Sequence, residues 1–175
     1  MRPVLGLLLA CFAGAGAAAI PLPQMVGERW LRCRLFGRWG CRQIAGFVLE
    51  MLLGAFAAWV AGRAGGAGLR GEAILAAATL GAILPVLLGF RTGGGTGVFF
   101  GAILAVSLLP AVGTLFIAIC LLALTRSPGG AAALAAACYP AGIWLLEHPG
   151  PLGVIGSAAA AFLVVWHHRA ALRSV

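Results

Sequence analysis

The sequence predicts an all-α, polytopic integral membrane protein in which about seven transmembrane helices form a single membrane-embedded domain over residues 1–175. Apolar residues make up 62% of the chain, charged residues make up 9%, and the mean hydropathy is +1.07. A soluble domain carries about 25% charged residues, so this composition indicates that lipid is the main solvent.

Six apolar stretches, each bounded by arginine, glycine or proline, define the candidate spans, because a membrane-spanning helix needs roughly 17–25 apolar residues. The stretches are Val4–Ile20, Ile44–Ala61, Ala73–Phe90, Val98–Leu124, Ala131–Leu146 and Leu152–Trp166. The fourth stretch has 27 residues and carries Pro110 near its middle. It is either one kinked helix or two short helices joined by a turn.

The distribution of the twelve arginines distinguishes these two topologies, because positive residues collect in cytoplasmic loops. A turn at Pro110 gives seven spans, with nine arginines on one side and three on the other. A single crossing gives six on each side. The first split predicts an N-terminus outside and a cytoplasmic C-terminus. Its nine cytoplasmic arginines are Arg29, Arg32, Arg34, Arg38, Arg42, Arg91, Arg126, Arg169 and Arg173.

The net charge of +8 favours anionic lipid head groups or phosphorylated substrates as partners. Nucleic acid is not predicted, since the arginines are scattered through short loops and form no patch interleaved with aromatic residues. The five cysteines are odd in number and contain no C-x-x-C pair, so they predict small apolar side chains, with no disulfide framework or metal site. No cofactor is predicted.

The N-terminal segment has an alternative interpretation as a cleaved signal peptide, because Arg2 is followed by an apolar run and by the small residues Ala17–Ala19. The remainder of the chain is itself apolar enough to be embedded in a membrane, which favours a retained first span.

A glycine-rich segment at residues 89–98 lies at the predicted cytoplasmic mouth between two spans. Its candidate anion-binding residues are Arg91, Gly93, Gly94, Gly95, Thr96 and Gly97. Consecutive glycines let backbone N–H groups converge on an anion, and a helix N-terminus adds partial positive charge. The alternative is a turn in which Gly97 and Gly101 allow close helix packing.

Glu50 is the carboxylate deepest in a predicted span. A charged side chain at mid-membrane costs on the order of 2.5–3.5 kcal/mol on insertion scales, so such residues usually face a cavity or a partner. Pairing with an arginine of the 29–42 loop is the equally weighted alternative.

Basic residues lie at the ends of two helices on the predicted cytoplasmic side. His167, His168 and Arg169 end the last span, and Arg126 ends an earlier one. His168, Arg169 and Arg126 are candidates for neutralising a phosphate group. The simpler interpretation is that they anchor the helix ends in the head-group region.

Several motifs, in order along nearly the whole chain, resemble those of the bacterial acyl-phosphate-dependent glycerol-3-phosphate acyltransferases. G-A-I-L-P-V-L-L-G-F-R at 81–91, followed by G-G-T-G-V at 94–98, is similar to the family's G-H-x-F-P-V-F-L-G-F-K-G-G-K-G-V. E-M-L-L-G at 50–54 resembles D-L-L-K-G, L-T-R-S at 124–127 resembles L-T-R-Y-x-S, and W-H-H-R at 166–169 resembles W-R-H-R.

The resemblance implies seven spans in a bacterial inner membrane and transfer of an acyl group from acyl phosphate to glycerol 3-phosphate in phospholipid biosynthesis. Several polar side chains of the family are replaced, and its S-G-N-I-G-A-T-N-V loop has no counterpart between Ile20 and Gln43. The replacements are Ala82 for histidine, Thr96 and Leu53 for lysines, and Ala171 for asparagine.

These departures leave three functions open. The first is a divergent acyltransferase in which the glycine loop holds acyl phosphate, with no catalytic residue assigned. The second is a pseudoenzyme that serves as a non-catalytic subunit or lipid-contacting scaffold of a larger membrane complex. The third, a small transporter, is the weakest, since Glu50 is the only acidic residue deep in a span.

Overall fold

The computed structural model describes residues 2–19, 41–65, 71, 77, 79, 96–148 and 150–172, and the regular structure within them is helical. The helices are α1 (Arg2–Ala19), α2 (Cys41–Gly65), α3 (Thr96–Val106), α4 (Leu108–Thr125), α5 (Pro128–Glu147), α6 (Pro151–His167) and the single turn α7 (Arg169–Leu172). An all-α fold is therefore confirmed. Most of the predicted span Ala73–Phe90 lies outside the described residues.

The long apolar stretch Val98–Leu124 is divided into α3 and α4 at Ser107, whose backbone is extended (φ −148°, ψ 94°). Pro110 falls in the first turn of α4, where its missing N–H has no helical partner to lose. The proline therefore marks the start of a second helix, and the break precedes it by three residues.

The chain reverses direction at Ser107, as contacts at the two ends of α3 indicate. At one end, Thr96 contacts His168, which follows α6. At the other, the Ser107 hydroxyl donates a 3.0 Å hydrogen bond to the carboxylate of Glu147, the last residue of α5. Because α4, α5 and α6 are joined by short connections and pack side by side, α3 and α4 run in opposite directions.

The connections on either side of α5 have local sequence causes. The Ser127 side chain accepts a hydrogen bond from the Gly130 N–H, and Pro128 opens the helix, a normal N-terminal arrangement. Helix α6 begins in the same way, with Gly150 as its N-cap and Pro151 in its first turn.

Small side chains form most of the core, and they allow the helices to pack closely in the way common in membrane bundles. Three aromatic rings fill its centre: Phe99 lies edge-on to Phe100 and to Tyr139, with centroids 5.5 and 5.9 Å apart. The buried alanines come from α1 to α6 and include Ala10, Ala58, Ala102, Ala111, Ala135 and Ala160.

Large apolar side chains cover much of the outer surface, which is the arrangement expected where lipid replaces water. They include Phe56, Trp59, Phe116, Ile119, Leu145 and Phe162. Among the described residues, three segments are long and apolar enough to cross a membrane, namely Gly46–Arg63, Leu108–Thr125 and Pro128–Glu147. These helices indicate membrane association, whereas the total of seven spans stays a prediction.

Candidate functional site

The first turn of α3 packs directly against α2, and glycines make this approach possible. A Cβ atom on Gly101 would overlap the backbone carbonyl of Met51, and one on Gly54 would overlap that of Val98. Gly97 and Gly101 therefore serve the close helix packing that the sequence offered as one interpretation of this segment. Close packing and anion binding are compatible, because the packing contacts lie on the side of α3 that faces α2, whereas an anion would approach the N-terminal end of α3.

Glu50 projects from α2 to the start of α3. Its side chain is only 8% exposed, and its carboxyl group accepts a hydrogen bond from the backbone N–H of Gly97. The first N–H groups of a helix have no partner within it, so the carboxyl group satisfies one of them. The deep carboxylate thus has a backbone partner, which neither interpretation of the sequence proposed.

Thr96 and His168 meet at the same place from residues 72 positions apart in the chain. The Thr96 Oγ1 atom lies 2.6 Å from the Nε2 atom of His168, and both side chains are at least partly buried. The residue that opens α3 is thereby tied to the residue that follows α6. The structure brings Glu50, Thr96, Gly97 and His168 together at one end of the bundle, and we call this group the α3 cluster.

Burial governs the protonation of the imidazole. Desolvation by burial, and to a lesser extent the neighbouring His167, whose ring centroid is 4.7 Å away, lower the pKa of His168 to about 4. His168 is therefore neutral at pH 7. Because a neutral ring neutralises no phosphate, its predicted charge-neutralising role would require a proton taken up with the ligand.

The two candidate arginines lie at the exposed ends of their helices. The Arg169 guanidinium stacks over the Trp166 ring, 4.6 Å from its centroid, and its Nη1 donates to the Trp166 carbonyl oxygen at 3.4 Å. Arg126 occupies the left-handed corner between α4 and α5 (φ 55°). Both arginines lie at the same end of the bundle as the α3 cluster. The stacking of Arg169 on Trp166 fits the simpler predicted role, in which the arginine anchors a helix end in the head-group region.

The stacking partner Trp166 was not among the predicted site residues. The signal for it is the spacing Trp166-x-x-Arg169, which places both side chains on one helix face. A similar pair occurs near the end of α2, where Arg63, four residues after Trp59, lies over the Trp59 ring at 5.3 Å. Aromatic and cationic side chains paired at helix ends are typical of membrane–water interfaces.

Arg91, Gly93, Gly94 and Gly95, the larger part of the predicted anion loop, lie outside the described residues. The described part of that loop is Thr96 and Gly97.

A family model described as glycerol-3-phosphate acyltransferase matches residues 34–175 of the chain. The match includes every described helix except α1. Comparisons with curated proteins and with solved structures give no significant match.

Proposed function

Because the chain belongs to the glycerol-3-phosphate acyltransferase family, we propose that it binds acyl phosphate at the cytoplasmic face of a bacterial inner membrane. We further propose that its transfer of the acyl group to glycerol 3-phosphate is much slower than in members with the full set of cationic side chains. Membrane lipid, acyl phosphate and glycerol 3-phosphate are the partners in this proposal.

The contact between Thr96 and His168 carries the proposal. At the position of Thr96, the family resemblance implies a lysine ammonium close to the donor phosphate. Here a hydroxyl and a neutral imidazole fill that place, and the nearby ionisable group is the acidic Glu50. A hydrogen bond from a charged donor contributes about 1.5–3 kcal/mol, so the loss of this cation weakens the binding of a dianion.

The remaining cations define the rest of the proposed site. The 93–97 loop would cradle the acyl phosphate with the backbone N–H groups that precede Gly97, whose own N–H bonds Glu50, and Arg91 would supply a full charge. Arg126 and Arg169, at the ends of α4 and α6, would neutralise charge that develops during transfer.

The anion-binding loop is tested by two substitutions that act through different causes. Arg91→Ala removes charge, and Gly95→Val blocks the approach of the backbone to the phosphate. We expect each to weaken the binding of a non-hydrolysable acyl phosphonate about tenfold, measured by calorimetry in detergent. Gly113→Val, at an exposed position of α4 with no atom near its added side chain, is the control. If both variants bind as tightly as the wild type, the glycines serve packing alone.

The proposed orientation places the C-terminus in the cytoplasm and the end of α2 outside. Single cysteines at Ser174 and Gly65, introduced after the native cysteines are replaced, are expected to react with an impermeant maleimide on opposite sides of the membrane. Labelling of both positions from the same side in intact cells would contradict the seven-span topology.

The second candidate function is a non-catalytic subunit or scaffold, and the neutral Thr96–His168 pair also supports it. Purification in mild detergent separates the two candidates. A stoichiometric membrane-protein partner would favour the subunit, whereas a lone protein that consumes acyl phosphate would favour the enzyme.

A further inference from the structure

The Thr96 hydroxyl has a different polar contact from those of the two threonines in α4. Thr114 and Thr125 each donate a 2.8 Å hydrogen bond to the backbone carbonyl four residues earlier in α4. Such a carbonyl satisfies the hydroxyl but does not take its proton. Thr96 contacts an imidazole nitrogen at 2.6 Å, a separation within the range found between nucleophiles and their activating bases.

We propose that Thr96 is a nucleophile that accepts the acyl group of acyl phosphate as an oxygen ester, with His168 as its general base. The proposal rests on the proposed binding of acyl phosphate for its substrate. It goes beyond binding, because it assigns the chain a covalent acyl intermediate on the Thr96 side chain.

The reaction balances in two steps. In the first, Thr96 Oγ1 bonds to the acyl carbonyl carbon, the bond from that carbon to the phosphate oxygen breaks, and inorganic phosphate leaves. His168 Nε2 takes the hydroxyl proton. His168 then passes this proton to the departing phosphate. In the second step, a water oxygen bonds to the ester carbonyl carbon while His168 Nε2 takes a proton from the water. The bond from the acyl carbon to Thr96 Oγ1 breaks, the fatty acid is released, and His168 returns the proton to Oγ1. The sum is hydrolysis of acyl phosphate, with no oxidant or further reactant.

The position of His168 suits this role. Its backbone N–H donates to the Val164 carbonyl at 3.0 Å, and the His167 ring lies edge-on against it, so the imidazole is held by its own helix end. Because burial keeps the ring neutral at pH 7, Nε2 is open to a proton in the tautomer protonated on Nδ1. An acyl phosphate is a mixed anhydride with a good leaving group, so its attack demands less basicity than attack on an amide.

The acidic neighbour makes water a better second acceptor than glycerol 3-phosphate. Glu50 is hydrogen-bonded to the residue that follows Thr96, so an anionic acceptor that approaches the ester meets a carboxyl group in place of an ammonium. Glu50 therefore gives a phosphate dianion none of the attraction that a lysine would supply. A water molecule needs no such attraction.

The test is incubation of the purified chain, in detergent, with palmitoyl phosphate, followed by intact-mass and peptide mass spectrometry. We expect one palmitoyl adduct per chain, located at Thr96 and resistant to neutral hydroxylamine, which cleaves thioesters on cysteine. Thr96→Val keeps the shape and removes the hydroxyl, so the adduct should vanish. Thr96→Ser keeps a hydroxyl and should retain the adduct, and His168→Gln should slow its formation at least about a hundredfold.

Thr114→Val, which removes a buried hydroxyl bonded to a carbonyl, is the matched control and should leave the adduct unchanged. An adduct that persists in Thr96→Val, or a wild-type chain that binds acyl phosphonate but forms no adduct, would overturn the nucleophile while leaving the binding proposal intact. A wild-type chain that binds no acyl phosphonate would overturn both.

Discussion

Replacing Gly101 with valine is expected to lower the free energy of unfolding by about 3 kcal/mol, at the upper end of the cost of overpacking a core. The added side chain would meet the backbone carbonyl of Met51 in α2. A backbone atom in a helix cannot rotate away as a side chain can, so α2 and α3 must separate. Their separation would remove the contacts of Phe99, Phe100 and Ile103, which are all buried beside this crossing.

The experiment compares thermal unfolding of Gly101→Val and Gly113→Val in the same detergent. Gly113 lies on α4, and a Cβ atom there meets no other atom within 4 Å. The two substitutions therefore add the same side chain to an apolar helix in opposite environments, and only the first should lower the melting temperature by several degrees. Equal melting temperatures would show that the close approach of α2 and α3 does not hold the fold together.

The division of Val98–Leu124 shows how far hydropathy and charge predict this fold. The arginine count favoured a turn in that stretch, and the structure has one. Hydropathy could not place it at Ser107, because a single polar residue in an apolar run also occurs inside spans. Pro110 places the break to within one helical turn, because a proline is favoured in the first turn of a helix. The hydrogen bond from Ser107 to Glu147, which accompanies the break, joins residues distant in sequence and could not be predicted.

The sequence predicted which residues belong to the α3 cluster, but not which of them contact one another. Glu50, Thr96, Gly97 and His168 were all singled out from the sequence. Their contacts depend on how α2, α3 and α6 converge, which no local pattern predicts. The sequence offered a cavity or an arginine of the 29–42 loop for Glu50, and the side chains of that loop lie outside the described ones. The backbone N–H of Gly97 bonds Glu50 because a helix N-terminus offers unsatisfied donors wherever a carboxyl group reaches it.

The exposed cations were predictable for a different reason. Arg126 and Arg169 lie at helix ends, where charge meets the edge of an apolar segment, and that position follows from hydropathy alone. The stacking of Arg169 on Trp166 follows from their spacing on one helix face. Features that depend on local sequence, such as cations at helix ends, could therefore be predicted. Contacts that depend on how the helices pack together could not.

The wild-type chain is expected to transfer acyl groups to glycerol 3-phosphate about 10²- to 10⁴-fold more slowly than a family member with the full motif set. Loss of two charged contacts at about 1.5–3 kcal/mol each gives a factor of this size. The acceptor site loses more, because transfer requires a pre-organised pocket with the hydroxyl aimed at the carbonyl. Growth of a bacterial strain lacking its own acyltransferase, and turnover of acyl phosphate by purified protein, measure the loss.

Thr96→Lys tests the cause of this loss, since it places an ammonium where the family resemblance implies one. We expect it to tighten the binding of acyl phosphonate about tenfold or more and to raise transfer to glycerol 3-phosphate. Thr96→Met, a side chain of similar length without charge, should do neither. An equal effect of the two variants would assign the change to side-chain length. Strong complementation by the wild-type chain would contradict the expected loss and would show that transfer proceeds without the missing lysines, with arginines of the 29–42 loop as the candidates to replace them. It would also exclude the non-catalytic subunit.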